Sequence, residues 1–401
     1  MELTRESLSE ELVKDIKPIN NVRTDESYSF FNQFIIDDKV IKVYESKILI
    51  DDEWDKFVTG INDSCLHQLS GWADVKSSEG WDFIRFIYTQ DNIIIGGYQI
   101  LIKNFPFIGK IAYLNHAPVT QIQNYEFVKK LIEDFRIIIK KIGIRLAIIS
   151  PPFNNNILVD ELTTRFDRNI FFNVINAEAE MDLSADENTI LKNMLRMRRQ
   201  NISKRTTYNY HIFEGGEEHL ETFFKLMSDT CQRNNVKPNP SSLAMVKKIW
   251  NYYHYKNLLN LYLFSINNEI VSAILAFEYQ DRFIPWKFGW SGKYAKFKPN
   301  DIFHWELIRI AKQKGFKKYN LGGVNLSTAE KLSSLNKNLN EKELKSATFY
   351  KMGFGCYIRR LPDSVVHIPN PVLRALYKFY LSLNKSKLIL KKKFRINLNA
   401  H

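Results

Sequence analysis

The chain has 401 residues, of which 45% are hydrophobic and 25% charged, and it carries only three cysteines. At roughly 150 residues per domain, this length predicts two or three domains. The composition excludes collagen-like, low-complexity and disulfide-framework proteins. The N-terminus carries acids where a signal peptide carries bases, and the longest apolar runs are far shorter than the roughly 18 residues of a membrane span. We therefore expect a soluble, cytoplasmic protein.

The charge balance is basic, with 57 Lys and Arg against 44 Asp and Glu and a net charge of +13. Such an excess indicates a polyanionic partner: a nucleic acid, nucleotide phosphates or an anionic membrane. The alternative is a basic surface that only contacts solvent.

The first half of the chain has one regular series of elements. Residues 1–45 read as an irregular N-terminal extension. Hydrophobic spacing and turn residues then predict a helix, three strands, a long helix and a strand. These lie at 52–63, 83–89, 93–103, 110–114, 124–142 and 146–150.

A similar order of elements returns in the second half. The predicted helices are at 186–203, 220–234, 241–255 and 301–314, and the predicted strands are at 208–213, 259–266, 269–279, 282–290, 319–321 and 348–352. The repetition indicates two copies of one α+β module. The domain boundaries we predict are 1–45 for the extension, 46–183 and 184–365 for the two modules, 325–345 for a polar insertion and 366–401 for a basic helical tail.

Several chemistries lack their sequence signatures. The chain has no G-x-S-x-G, H-E-x-x-H or paired-cysteine motif, no phosphate-binding P-loop and no dinucleotide fingerprint. We therefore expect no metal site and no bound cofactor.

One predicted helix is strongly basic. No acid occurs between Asn188 and Phe213. On one continuous helix, Lys192, Arg196 and Arg199 would share a face. Six unpaired cations there would suit a phosphate backbone or a diphosphate, namely Lys192, Arg196, Arg198, Arg199, Lys204 and Arg205. The alternative is a solvated basic helix.

A series of short motifs carries a family resemblance. In chain order they are LSGWADVK at 69–76, IAYLNHAPV at 111–119, MRRQNISK at 197–204, DTCQR at 229–233, YNLGG at 319–323 and FYKMGFG at 349–355. The series resembles FemAB-like aminoacyl/acyltransferases, relatives of the enzymes that form peptidoglycan bridges. The resemblance implies an α+β fold of two tandem GNAT-like (acyl-CoA N-acyltransferase-like) domains, with mixed sheets flanked by helices.

The resemblance also implies roles for individual residues. Lys76 and Arg233 correspond to the Lys and Arg with which the family binds its precursor, and Lys351 corresponds to its essential late lysine. Tyr113 corresponds to the aromatic residue of a first-domain motif. We expect Lys351 to stabilise the reaction's oxyanion or leaving ribose, and Lys76 and Arg233 to hold the acceptor's phosphate or carboxylate. For each of these residues, an ordinary surface or core position is the alternative.

Aromatic residues complete the predicted site. Tyr113, Trp286 and Tyr350 are candidates for the wall of the acceptor pocket, with core packing as the alternative.

The chain departs from the family pattern at several places. Asn115-His116-Ala117 replaces the family's usual Pro-Arg-Gly, Asn320 stands where Asp is common, and Tyr350 stands where Phe is usual. The long coiled-coil arm of the cross-bridge enzymes is absent, as is the R/Q-x-x-G-x-G/A loop with which ordinary GNAT enzymes bind CoA.

Three functions remain open at this point. The first is an N-acyltransferase that forms an amide between an aminoacyl group, supplied by aminoacyl-tRNA, and an amine on a cell-wall, sugar or peptide precursor. The second uses an acyl-CoA or a carrier protein as donor, and the third is a non-enzymatic nucleic-acid-binding protein. No general base is identifiable.

The C-terminal tail is amphipathic over 372–390, and no acid follows Asp363. This pattern predicts peripheral contact with the inner membrane face, or else a helix docked on a domain.

Overall fold

The computed structural model describes residues 28–170, 172, 174–207, 209–334 and 338–384. These residues divide between two compact units. The first unit holds the described residues of 1–73, 81–167 and 366–376, and the second holds those of 74–80, 168–365 and 377–401. The acidic start of the predicted extension and the bases beyond residue 384 lie outside the described residues.

Strands and helices are numbered here in chain order through both units. The strands are β1 (Tyr28–Ile36), β2 (Lys39–Ser46), β3 (Asp82–Gln90), β4 (Ile93–Phe105), β5 (Gly109–Leu114), β6 (Val119–Thr120), β7 (Leu146–Ile149), β8 (Asp167–Arg168), β9 (Ala177–Asp182), β10 (Tyr210–Gly215), β11 (Leu259–Ile266), β12 (Glu269–Tyr279), β13 (Arg282–Trp290), β14 (Lys318–Gly323), β15 (Tyr357–Arg360) and β16 (Val365–His367). The helices are α1 (Asp52–Gly60), α2 (Ser70–Ser77), α3 (Tyr125–Lys141), α4 (Asn156–Arg165), α5 (Glu187–Asn193), α6 (Arg196–Ser203), α7 (Leu220–Arg233), α8 (Leu243–Tyr253), α9 (Pro299–Gln313), α10 (Leu326–Ser333), α11 (Glu341–Leu344), α12 (Ala347–Met352) and α13 (Pro371–Asn384).

The first unit is built on a mixed sheet. Strands β1 to β5 form an antiparallel meander, β7 joins β5 in parallel, and β16 follows β7. The amphipathic helix α3 buries Phe127, Leu131, Phe135 and Ile138, each contributing about 1.5–3 kcal/mol by leaving water. The close approach of α1 to the sheet requires Gly97, because a Cβ there would lie 2.4 Å from the Phe86 carbonyl oxygen and 2.8 Å from the Trp54 ring.

The start of this sheet differs from the sequence prediction. Residues 28–46 form the hairpin β1–β2, and β2 pairs with β3. The prediction of an irregular extension is therefore wrong for this segment. Its turn is made by Asp37 and Asp38, which adopt φ values of 49° and 60°. Aspartates tolerate this left-handed conformation, which two-residue hairpin turns require.

The second unit has a seven-stranded mixed sheet in the order β10-β11-β12-β13-β14-β9-β15. Its core includes Phe303, Trp305 and Leu307 of α9, packed with residues of the central strands. The parallel strands β13 and β14 pair at only two positions, Arg282 with Lys318 and Phe283 with Tyr319. The end of β14, at Gly323, lines the candidate site described below.

Two predicted elements in this unit are wrong. The single helix predicted over 186–203 is two helices, α5 and α6, because Met194 is extended and the Leu195 N–H donates to the Gly353 carbonyl at 2.9 Å. The strand predicted over 348–352 is the helix α12. Its N-cap is Ser346, whose Oγ accepts a hydrogen bond from the Phe349 N–H at 3.1 Å.

Candidate functional site

Lys351 occupies the last turn of α12, beside the end of β14. Its Nζ donates a hydrogen bond to the Gly323 carbonyl oxygen at 2.9 Å. Gly322 adopts φ +74°, and a Cβ at that position would lie 3.9 Å from the Lys351 Nζ. Burial lowers the pKa of Lys351 to about 8, against the opposing negative charge of Glu178. The ammonium is thus held at a glycine-rich strand end, where it can meet a developing negative charge.

Lys351 borders a cavity of about 670 Å³ within the second unit. This volume lies in the range of small-molecule sites. The polar side chains of the lining include Asn176, Asn325, Thr348 and Ser364, and apolar side chains are supplied by Ile175, Val324 and Leu326. The mixed lining suits a ligand that combines hydrogen-bonding groups with small apolar parts.

Two further lysines of the second unit, Lys76 and Lys287, are shielded from solvent. Lys76, in the last turn of α2, is 0% exposed and its Nζ forms an ion pair with Glu79 at 2.9 Å. Lys287, on β13, places its Nζ 4.5 Å from the centroid of the Trp286 ring. Burial and the Lys76 charge lower the pKa of Lys287 to about 8, and the Lys351 charge adds to this effect.

Sequence reasoning singled out Lys76 and Lys351 but not Lys287, which is also shielded from solvent. Its only local signal is a lysine inside the otherwise largely apolar strand R-F-I-P-W-K-F-G-W. Lysine is rarely buried without a partner, and that rarity could have marked the residue.

Asn320 explains one departure from the family pattern. Its Nδ2 donates to Glu178 at 2.8 Å, and its Oδ1 accepts from the Gly322 N–H at 2.6 Å. An aspartate at this position would place a second carboxylate beside Glu178 and could not donate to it. The Asn320 amide therefore links the turn at Gly322 to Glu178, whose negative charge raises the pKa of Lys351.

Tyr350 contacts a buried ion pair. The Arg198 guanidinium lies 4.2 Å from the centroid of the Tyr350 ring, and its Nη1 donates to both Asp301 oxygens, at 2.7 and 2.9 Å. Burial and the Asp301 charge raise the pKa of the Tyr350 hydroxyl. Tyr350 also borders a second cavity of about 240 Å³, together with Trp290 and Lys298.

The prediction of six unpaired cations between residues 192 and 205 is wrong. Arg198 is neutralised by Asp301, and the Arg205 Nε lies 3.6 Å from the Glu306 Oε1. The Arg199 guanidinium donates to the backbone carbonyls of Lys192 and Met194, so it caps the end of α5. Lys192, Arg196 and Lys204 remain exposed. The basic surface is therefore smaller than the sequence suggested.

The other predicted substrate residues lie at separate places. Arg233 is exposed at the end of α7, where its guanidinium donates to Thr230 and to the Trp290 carbonyl and lies 5.4 Å from the Trp290 ring. Trp286 is half-buried, with its ring centroid 5.1 Å from that of Phe277. Tyr113 is buried in the first unit, with its hydroxyl 3.3 Å from the Ser150 Oγ. Burial raises the pKa of Tyr113. Their substrate-binding roles stay predictions.

The described part of the chain contains no group of three His, Cys, Asp or Glu side chains that could hold a metal ion. Among the same residues, none of the helices has the length and apolar character needed to span a membrane.

Two family models match the chain, one in each half. Residues 49–163 match the model of the FemAB family, and residues 191–331 match a model described as an acetyltransferase (GNAT) domain. A search of curated proteins finds no match.

Solved structures show the same fold at low sequence identity. The crystal structure of FemX is 16% identical, with a TM-score of 0.67 over 83% of this chain and 99% of that one. L-PGS from Bacillus licheniformis is 13% identical, with a TM-score of 0.50 over 85% and 98% of the two chains. A conserved protein of unknown function from Bacteroides thetaiotaomicron is also 13% identical, with a TM-score of 0.50 over 80% and 98%.

The two mixed sheets and the matched GNAT model define a tandem GNAT fold of the α+β class, as predicted. The chain is FemAB-like, and the resemblance read from its motifs is confirmed. The two family models indicate an enzyme that transfers acyl or aminoacyl groups.

Proposed function

We propose that the protein is an N-acyltransferase that moves an aminoacyl group from aminoacyl-tRNA to an amine of a cell-wall, sugar or peptide precursor. The observation that carries the proposal is Lys351. In a FemAB-like fold, this lysine lies at a cavity of about 670 Å³ with its ammonium bonded to the carbonyl of Gly323.

The chemistry asks little of the protein beyond positioning and charge. An aminoacyl ester is already activated, so an oriented amine can attack its carbonyl carbon without a covalent enzyme intermediate. Negative charge then develops on the carbonyl oxygen, and a fixed ammonium stabilises it. We assign this role to Lys351 and the aminoacyl end of the donor to the adjoining cavity.

We assign binding of the acceptor to the two cationic residues that the family motifs identify, Lys76 and Arg233. Arg233 is exposed and held against Trp290, so it is fixed for an acceptor's phosphate or carboxylate. Lys76 is fully buried and paired with Glu79, so it can take this role only after Glu79 moves away. Trp286 and Tyr350, in the second unit, are proposed to contact the acceptor. Tyr113, in the first unit, is proposed for the same role because it matches the aromatic residue of the family motif.

An acyl-CoA or carrier-protein donor is the second candidate, because residues 191–331 match a GNAT domain model. A pool of charged tRNA and a pool of acyl-CoA, each tested with mass-spectrometric detection of products, separate the two donors. RNase-sensitive transfer supports the first donor. RNase-insensitive transfer from acyl-CoA overturns it. A non-enzymatic nucleic-acid binder is not proposed, because both matched families are transferases.

The exposed cations between residues 192 and 204 give a salt-dependence prediction. If Lys192, Arg196 and Lys204 meet RNA phosphates, binding of charged tRNA weakens steeply with salt, because counterions are released. The double variant Arg196→Ala, Lys204→Ala should reduce the slope of log K against log salt by about 1.5, or slightly less than one unit per lost contact. Filter binding measured between about 50 and 200 mM KCl gives the slope.

The matched control removes two exposed lysines elsewhere in the second unit, Lys225 and Lys317. Because it lowers the net charge equally, Lys225→Ala, Lys317→Ala should leave the slope almost unchanged. Equal slopes for the two double variants would exclude α5 and α6 as the RNA-binding surface.

The terminal helix α13 gives a membrane-binding prediction. One side is docked, since the Arg374 Nε donates to Asp167 at 2.7 Å and the Tyr377 hydroxyl to the Arg168 carbonyl at 2.7 Å. The other side exposes apolar residues, including Leu376 at 59% and Phe379 at 62%. The sequence after Asp363 carries bases and no acid. We propose that this face rests on an anionic membrane, where a lipid-linked acceptor would be located.

Co-sedimentation with vesicles of phosphatidylglycerol and phosphatidylcholine tests this proposal. Leu376→Gln, Phe379→Gln should weaken binding roughly 100-fold, since each buried side chain contributes about 1.5 kcal/mol or more. The control Phe107→Gln, Tyr255→Gln removes two aromatic side chains exposed elsewhere and should bind like the wild type. Identical binding by all three proteins would exclude α13 as the contact.

A further inference from the structure

The first unit contains a groove of about 540 Å³ that the proposed reaction does not use. One wall is a face of α3, whose lining residues follow the spacing i, i+3, i+4 and i+7 of a single helix face. They are Glu133, Arg136, Ile137 and Lys140. The other wall is supplied by His367, at the end of β16, and by Pro369. The groove shares no lining residue with the two cavities of the second unit.

His367 is the buried polar side chain of this groove. It is 6% exposed, and its ring is fixed between those of Phe135 and Phe166, with centroids 6.2 and 5.0 Å away. Within the described residues its side chain makes no hydrogen bond. Burial lowers the pKa of His367 to about 4, and the charge of Arg136 adds to this effect. The imidazole is therefore neutral near neutral pH, with one N–H to donate. A buried polar group of this kind calls for a partner, which an occupant of the groove can supply.

Two cations lie beside this imidazole. Arg136 and Lys140 are exposed, and within the described part of the chain neither side chain forms an ion pair or a hydrogen bond. Glu133 brings a carboxylate to the same helix face, so the two cations are only partly balanced and the groove keeps a net positive charge. A guanidinium and an ammonium with donors to spare suit the oxygens of a phosphate group.

The rim of the groove is apolar. Ile137, on the same face of α3, is 56% exposed. The helix α13 begins two residues after Pro369, and its first turn exposes Val372 at 66% and Leu373 at 41%. Cations flanked by exposed apolar side chains are typical of surfaces that rest on the headgroup layer of an anionic membrane. This combination favours a phosphate that is attached to a lipid over a free one.

We propose that the groove binds the phosphodiester of an anionic phospholipid. Arg136 and Lys140 contact the phosphate oxygens, and the imidazole N–H of His367 donates a hydrogen bond to the headgroup. Ile137 and Val372 contact the apolar region below it. The site extends the membrane contact proposed for α13 from an apolar face to a defined headgroup site, and it does not depend on the donor or the acceptor of the transferase.

The first test is co-sedimentation of the whole protein with vesicles of phosphatidylglycerol and phosphatidylcholine, beside vesicles of phosphatidylcholine alone. The double variant Arg136→Gln, Lys140→Gln should bind the phosphatidylglycerol vesicles about 30-fold more weakly, because each cation near an anionic surface contributes roughly fivefold. Binding to vesicles of phosphatidylcholine alone should stay as in the wild type.

The matched control lowers the net charge equally on the other face of the sheet. A Cβ at Gly96 would lie 3.3 Å from a ring of α3, whereas a Cβ at Gly97 would lie 2.8 Å from a ring of α1. Consecutive strand residues point to opposite faces, so α1 and α3 cover opposite faces of the sheet. Lys56 on α1 and the nearby Lys47 are 60% and 72% exposed. We expect Lys47→Gln, Lys56→Gln to bind like the wild type.

The second test separates a built headgroup site from diffuse attraction between charges. His367→Phe removes the ring nitrogens but keeps an aromatic ring between Phe135 and Phe166. Because His367 is neutral near neutral pH, the charge of the protein does not change. We expect binding to phosphatidylglycerol vesicles to weaken about tenfold, the usual effect of a lost hydrogen bond to a charged group. Thermal unfolding of the variant checks that the fold is kept, and the double variant of the exposed cations decides the matter if it is not.

The outcomes are distinct. Wild-type binding by Arg136→Gln, Lys140→Gln, or an equal loss in the control, overturns the headgroup site. Calorimetric binding of inorganic phosphate that the double variant loses, without any preference for phosphatidylglycerol vesicles, assigns the groove to a soluble phosphate and overturns the lipid. Transfer to a soluble acceptor should proceed at the wild-type rate in every groove variant. Absence of transfer by the wild type overturns the proposed transferase and leaves the vesicle result standing.

Discussion

Lys351→Ala is expected to lower kcat about 100- to 1,000-fold while the affinity for the donor changes little. The physical reason is that the ammonium meets a full negative charge only in the transition state, and removing one oxyanion donor typically costs this much. Steady-state kcat, together with equilibrium binding of charged tRNA, measures the two quantities separately.

Lys351→Arg is the matched variant, since it keeps the positive charge but changes its geometry at the Gly323 carbonyl. We expect it to retain more activity than Lys351→Ala and less than the wild type. A variant Lys351→Ala that binds donor poorly and turns over normally would contradict the oxyanion role and assign Lys351 to ground-state binding.

The pH dependence of the proposed reaction follows from the low pKa of Lys351. Lys351 acts as an ammonium, so its contribution is present below its pKa of about 8 and is lost as the pH rises through that value. We therefore expect kcat/KM to fall as the pH rises through about 8. A profile that stays level or keeps rising above this pH would contradict the role of Lys351.

Local sequence signals predicted the elements whose structure depends on neighbours in the chain. The apolar spacing of α3 and the Asn267-Asn268 turn between β11 and β12, with φ values of 50° and 64°, are of this kind. The same signal at Asp37-Asp38 could have given the first hairpin. In α12 the residues Thr348, Phe349 and Tyr350 favour a strand by propensity. The Ser346 cap and the surrounding contacts decide the helix.

The candidate site was predictable only where a motif named its residues. Lys351 and Lys76 came from the family resemblance, whereas the low pKa of Lys287 depends on burial and on charges far from it in the sequence. The pairing of Arg198 with Asp301 spans 103 positions, so a count of nearby acids could not find it. Long-range neutralisation is invisible to a local charge pattern, and it removes Arg198 and Arg205 from the basic surface expected over residues 192–205.

The same ion pair gives the largest expected effect on stability. Asp301→Ala should destabilise the second unit by about 3–5 kcal/mol, because it leaves Arg198 charged in a buried position. The two side chains are 8% and 4% exposed. Asn201, whose Nδ2 donates to Asp301 at 2.6 Å, also loses its acceptor. Guanidinium unfolding followed by tryptophan fluorescence measures the loss, and the melting temperature should fall by on the order of 10 °C.

Two controls separate this effect from charge removal in general. Glu341→Ala deletes a carboxylate paired with Lys345 at the surface, where the side chains are 82% and 75% exposed, and should cost less than about 1 kcal/mol. The double variant Arg198→Met, Asp301→Leu removes both buried charges and should recover most of the stability lost in Asp301→Ala. If the double variant were as unstable as the single one, the lost pair itself, and not the stranded guanidinium, would be what destabilises the fold. In that case the contact of Arg198 with Tyr350 would be a structural part of the helix that carries Lys351.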